Sequence, residues 1–244
     1  LIGDPHTGVD VFPGNRAMVL PVSLYWFKDG IYVVSAAEQY RELLGRKVEG
    51  IGSMDTAKAC DAIAPFIAHA NEYQLRKVAP IFLSIPDLLQ AAGVIADTAE
   101  VKIKVAGEGS KSEEVSVKPI EDGKQSKWVQ AFDESRTAVP LYRSRKPCPN
   151  WAEYVKDGNL VYFQYAKCND TKECPFSDAE KQVKTLLSAN KGAKLVVDLR
   201  QNGGGSSPVL DPFIDWVKGN AEINAKGRLY VVIGRRTFSS AILN

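Results

Sequence analysis

Near the end of the sequence, Gly203, Gly204 and Gly205 follow one apolar run, Leu195-Val-Val-Asp-Leu, and Ser239 and Ser240 follow a second, Leu229-Tyr-Val-Val-Ile. A triple glycine turns tightly and leaves amide N–H groups uncovered by side chains, which is what stabilising an oxyanion requires. A serine just past a strand can act as a nucleophile, with the following N–H as a second oxyanion donor. The same residues also fit a plainer assignment, an ordinary strand-to-helix turn with a serine N-cap.

Both apolar runs have strand length and end in turn residues. They are therefore expected to be adjacent buried parallel strands whose carboxyl ends share one crevice, where chemistry sits in open α/β sheets. Between them Val209, Leu210, Phe213, Ile214 and Val217 recur at helical spacing, giving strand, helix, strand. Upstream, Leu160 to Tyr165 reads as a buried strand after a turn at Asp157-Gly-Asn, and Ser177-Asp-Ala-Glu180 reads as a capping box opening a helix to Ala189. Asp198 and Arg200 are expected to pair, with Arg200 supporting the glycine turn.

The order Asp198-Leu-Arg-x-Asn-Gly-Gly-Gly205, then a hydrophobic strand, then Thr237-Phe-Ser-Ser-Ala241 resembles the C-terminal processing peptidase and tricorn-like family of serine peptidases, the tail-specific protease type. The resemblance places the nucleophile on Ser239. It places the oxyanion donors on the backbone of Ser240 and of the glycine turn, Gly204 foremost, with Gly203 and Gly205 beside it. It implies a layered α/β (ClpP/crotonase-like) catalytic core with an inserted PDZ-like α+β module, a polypeptide substrate and no cofactor. His6, in Gly3-Asp-Pro-His-Thr7, resembles the histidine that pairs with the serine in the tricorn-like branch, and imidazole suits a general base near neutral pH. Read alone, His6 is a surface-turn histidine. The processing-peptidase branch uses a lysine downstream of the serine and commonly carries a glutamate just after it. Here Ala241-Ile-Leu-Asn244 follows, which favours His6. That lysine position and any later acid fall beyond Asn244, so the sequence reads as part of a longer protein that cannot complete its site alone.

With 244 residues, 45% hydrophobic and 25% charged, the composition is that of a globular chain of one large or two modest domains. A net charge of +2 gives no reason to expect nucleic acid or an acidic membrane as partner. No apolar run reaches spanning length and no signal-peptide pattern opens the chain, so no stable membrane insertion is expected. Cys168 and Cys174 can close a disulfide loop in an oxidising compartment, or all four cysteines stay free; the pattern leans towards an exported or cell-envelope location. Without Cys-x-x-Cys, and with two histidines, a structural zinc site is not expected.

Residues 19–35 read as a hairpin around Lys28-Asp-Gly30. Tyr40-Arg-Glu-Leu-Leu-Gly45 reads as a short helix leading to a strand, resembling the Leu-Leu-Gly-x-x-Val-x-x-Ile region of PDZ-like domains. Helical patterns follow over 56–70, including His69 as a structural residue, and over 71–92, where Pro80 and Pro86 must break or kink the chain. Strictly alternating strands at 101–105 and 114–118 flank a glycine-containing hairpin loop, and the polar stretch 121–150 links onward. The expected organisation is a catalytic domain from 1–35 and 123–244 around a module of 36–122. The expected function is a serine endopeptidase. The alternatives are a non-catalytic peptide- or ligand-binding protein on the same scaffold and a purely interacting PDZ-like module.

Overall fold

The computed structural model describes residues 17–107, 111–122, 127–132, 138–144 and 146–243. His6 and the centre of the loop after Gly107 lie outside the described residues. The chain forms a mixed α/β structure of two compact units, the first ending at Thr137 and the second spanning Ala138–Asn244.

In the first unit the chain runs through β1 (Met18–Val19), β2 (Val22–Phe27), β3 (Gly30–Ala37), β4 (Lys47–Ile51) and β5 (Met54–Asp55). Three helices follow, α1 (Thr56–Ile63), α2 (Glu72–Phe82) and α3 (Pro86–Ala91), then β6 (Val101–Ala106), β7 (Ser112–Val117), β8 (Ile120–Glu121) and β9 (Trp128–Gln130). β1 pairs with β8, and the other strands form a seven-stranded sheet ordered β2-β3-β4-β6-β7, with β5 on β4 and β9 on β3. The alternation in β6 is the reason for its sidedness: Val101, Ile103 and Val105 are buried and Lys102 and Lys104 are exposed. Asp55 caps α1 by accepting the Lys58 amide (2.9 Å). Pro80 sits inside α2, and the break comes later, where Pro86 opens α3. The short helix expected at 40–45 is a 3-10 turn, Glu38–Leu43. His69 lies past the helical turns, its Nδ1 2.8 Å from the Ile67 carbonyl oxygen. Because β3 is hydrogen-bonded to β2, β4 and β9, residues 22–37 lie in the sheet of this unit.

The second unit contains β10 (Asn150–Val155), β11 (Leu160–Tyr165), α4 (Phe176–Ala189), β12 (Lys194–Asp198), α5 (Asp211–Gly219), β13 (Leu229–Val232) and the short α6 (Ser240–Leu243). The sheet order is β10-β11-β12-β13; β10 is antiparallel to β11, and β11, β12 and β13 are parallel. β11 is central and buried along almost its whole length. Its Phe163 meets Phe176 of α4 and Phe213 of α5 at centroid distances of 6.4 and 5.3 Å, so both helices cover one face of the sheet.

Three expectations need correction here. The helix begins at Phe176 with Pro175 as its N-cap and no side-chain cap, so Ser177 and Glu180 form no capping box; Asp170 Oδ1 accepts the Phe176 amide instead (2.9 Å). β13 is not buried: it is the edge strand, with Tyr230 and Val231 45% and 55% exposed. The disulfide joins Cys148 to Cys174, leaving Cys168 a buried thiol whose Sγ lies 3.4 Å from Asn202 Oδ1. Cys168 is held at the end of β11, facing inward, while Cys148 and Cys174 each precede an element, β10 and α4, that pack side by side.

Alkylation of the denatured, unreduced protein is expected to label two cysteines, Cys60 and Cys168, and all four after reduction, read by peptide mass mapping. Burial pushes the Cys60 thiol up to about 12, with Asp61 adding to the effect, so this thiol is expected to resist alkylation at neutral pH until the protein unfolds.

Candidate active site

Three adjacent parallel strands deliver their carboxyl ends to one edge: β11 leads to Cys168, β12 to Asn202 and the glycine turn, and β13 to Thr237 and Ser239. Each loop is tied to the next by identifiable bonds. Thr237 Oγ1 donates to the Leu199 carbonyl (2.8 Å) and accepts the Gly234 amide (2.9 Å), fixing the loop after β13 to the end of β12. The Phe238 amide donates to the Asn202 carbonyl (3.1 Å), and Ser240 Oγ donates to the Gly205 carbonyl (2.5 Å). Ser239 therefore sits between two anchored neighbours.

The backbone of Ser239 has φ +55°, a left-handed conformation that costs a non-glycine residue about 1–2 kcal/mol. An N-cap residue has extended dihedrals, so this is not the geometry of an ordinary serine cap. The strain is held by close packing on Gly204. A Cβ added to Gly204 would lie 2.7 Å from Ser239 Cβ, 2.9 Å from the Phe238 carbonyl oxygen and 3.3 Å from Ser239 Oγ, and Gly204 itself has φ +104°. Gly204 is thus glycine for two reasons, conformation and clearance. Gly205, at φ +138°, is pressed against the Cys168 carbonyl, 2.3 Å from where its Cβ would be. Gly203 has open space around it.

Of the four oxyanion candidates, Ser240 adjoins Ser239 in sequence, Gly204 packs against it, and Gly205 accepts the Ser240 hydroxyl through its carbonyl; their amides are not equivalent. The Gly204 amide donates to Asn202 Oδ1 (2.9 Å). Asn202 is fully buried, and its Nδ2 donates to the Tyr165 carbonyl (2.9 Å) at the end of β11. Neither Asn202 nor Thr237 stood out as a bonding centre in the sequence. An asparagine two residues before a glycine amide is an Asx-turn signal, which was the available clue.

Asp198 and Arg200 pair as expected. Arg200 Nε lies 3.0 and 2.9 Å from the two carboxylate oxygens, Arg200 Nη2 adds a further bond, and the guanidinium stacks on Tyr142 at 4.0 Å. Tyr162 Oη donates to Asp198 Oδ2 (2.7 Å). Burial acts to raise the Asp198 pKa, but the bonds from Arg200 and Tyr162 outweigh it and hold the carboxyl below its ordinary value of 3.8. Burial first, and then the bond to Asp198, push the Tyr162 hydroxyl up. Arg200 also lies against Gly234, whose added Cβ would meet its side chain at 3.2 Å, so the pair braces both loops. Among the described residues no group of three or more His, Cys, Asp or Glu side chains is arranged to hold a metal ion.

Gly204→Ala is expected to destabilise the protein by about 2–4 kcal/mol, since it adds both a clash and a strained φ. Gly203→Ala should change stability by less than about 0.5 kcal/mol. Urea unfolding of the two variants checks the contrast. Because the folded-state pKa of Asp198 is lowered, its contribution is complete above the unfolded value and disappears as pH falls through the folded one. Wild type should accordingly lose its stability advantage over Asp198→Asn as pH drops below 3.8, measured by urea midpoints across pH.

No family model matches the sequence, and no curated protein sequence matches it. Solved structures do match. Mature CPAF matches over 84% of this chain and 45% of its own length, at TM-score 0.54 and 17% identity. A serine-to-alanine mutant of CPAF matches over 83% and 45%, at 0.53 and 16%. A photosystem II D1 C-terminal processing protease matches over 93% and 56%, at TM-score 0.31 and 13% identity. The chain spans less than half the length of the CPAF chains. Over most of its length this chain has the fold of the mature CPAF structures.

Proposed function

We propose that this chain carries the nucleophile and oxyanion site of a serine peptidase of the C-terminal processing and tricorn-like type. The observation that carries the reading is Ser239 at φ +55°, packed on Gly204 where parallel strands β12 and β13 end. An N-cap needs neither the strain nor the glycine; a presented nucleophile uses both. The fold shared with CPAF and the motif Asp198-Leu-Arg-x-Asn-Gly-Gly-Gly205 with Thr237-Phe-Ser239 support the same reading.

In this mechanism Ser239 Oγ bonds to the substrate carbonyl carbon as its proton passes to His6. The C–N bond then breaks, and that proton leaves with the amine. Water releases the acyl group from Ser239 and restores the hydroxyl. The Ser240 amide and an amide of the glycine turn hold the oxyanion, each worth about 3 kcal/mol of transition-state stabilisation. Residues 1–35 and 123–244 make up the ClpP/crotonase-like core of this enzyme, and residues 36–122 its inserted PDZ-like module. The substrate is a polypeptide. The Cys148–Cys174 disulfide supports an exported or cell-envelope location.

A fluorophosphonate incubated with the uncut parent protein that carries this chain is expected to modify Ser239, as read by peptide mapping, and Ser239→Ala should abolish both labelling and peptide hydrolysis. Loss of labelling in His6→Ala as well supports His6 as base, whereas labelling that survives moves the base to another residue. A folded protein that takes no label contradicts the peptidase reading in favour of a non-catalytic binding protein.

A further inference from the structure

We infer that Asn202 is a positioning residue that selects Gly205, rather than Gly204, as the glycine-turn oxyanion donor. The inference rests on the peptidase reading above and adds to it a residue that acts through the glycine turn.

Asn202 Oδ1 holds the Gly204 N–H at 2.9 Å, so that amide is committed inward, while the open side of the Gly204 Cα faces Ser239. Gly205 forms a parallel bridge with Cys168, made by the Cys168 amide to the Gly204 carbonyl (3.3 Å) and the Ser206 amide to the Cys168 carbonyl (2.7 Å). In such a bridge the residue lying between the two bonds presents its own N–H and C=O to the opposite edge. The Gly205 carbonyl on that edge accepts Ser240 Oγ at 2.5 Å, so this edge of Gly205 faces the serine loop. Its N–H shares the edge.

Asn202 can impose this orientation because its own side chain cannot rotate. It is fully buried, its Nδ2 is fixed to the Tyr165 carbonyl (2.9 Å), and its Oδ1 also accepts the Cys168 thiol proton (3.4 Å). Its main-chain oxygen holds the Phe238 amide (3.1 Å), so the same residue sets the height of the serine loop. Rotation of the amide would break the bonds to both β11 and the glycine turn, leaving buried polar groups unpaired.

Hydrolysis of a peptide ester, fluorophosphonate labelling of Ser239 and amide hydrogen exchange at Gly204 are compared in wild type, Asn202→Leu and Asn202→Ser. Asn202→Leu should lower kcat by about 10²–10³, the effect of one lost donor, with KM little changed. Asn202→Ser, whose hydroxyl can accept the same amide in a turn of the same kind, should recover part of kcat. The Gly204 amide should be protected from exchange in wild type and less so in Asn202→Ser. Equal kcat and labelling rate in folded Asn202 variants would overturn the inference while leaving the peptidase reading intact. A wild type that takes no label would sink the peptidase reading and the donor assignment with it. Should Asn202→Leu fail to fold, Asn202→Ser decides: a loss carried by KM alone, or an unprotected Gly204 amide in wild type, contradicts the assignment.

Discussion

The hydrogen bonds of one buried residue, Asn202, two from its side chain and one from its main-chain carbonyl, join the ends of three parallel strands. Its Nδ2 reaches β11, its Oδ1 holds the turn after β12, and its carbonyl holds the loop after β13. The parallel register of β12 and β13, Asp198 opposite Val232, brings the two loops to the same level, and the amide then fixes their spacing. Thr237 repeats the same function nearby by tying the loop after β13 to the end of β12, and Arg200, held by Asp198, packs against Gly234 of that loop. A left-handed serine is tolerable in such a frame because the alternatives break several bonds at once.

Much of this frame was legible in the sequence because it rests on short-range patterns. The apolar runs at Leu195 and Leu229 became parallel strands, the alternation at Val101 to Val105 became a half-buried strand, and Lys28-Asp29 became the hairpin turn. Asp198 and Arg200 are two residues apart, so their pairing is local. What was not legible depends on contacts distant in sequence. The exposure of β13 follows from its place at the sheet edge, and the Cys148–Cys174 bond links residues 26 apart through the packing of β10 against α4. The capping box failed because the helix starts after Pro175, where Asp170 takes the first amide, that of Phe176, from outside the Ser177 motif.

The same distinction applies to the site. Ser239 and the triple glycine are visible as types and spacing, but which glycine amide is engaged follows from the Asn202 side chain and the Cys168 bridge, and these join residues that sequence spacing does not place together. Gly204 and Gly205 illustrate the difference: both need positive φ, but one clears a serine and the other a carbonyl. His6 belongs to a different part of the chain, outside the described residues, and its role as base stands on motif resemblance.

The most direct measurement is a crystal structure of the protein after reaction with a fluorophosphonate. The account predicts phosphorus bonded to Ser239 Oγ, with the phosphoryl oxygen within about 3 Å of the Gly205 and Ser240 amides and the Gly204 amide still on Asn202. A phosphoryl oxygen turned to solvent, or an adduct on another residue with Ser239 unmodified, would contradict it.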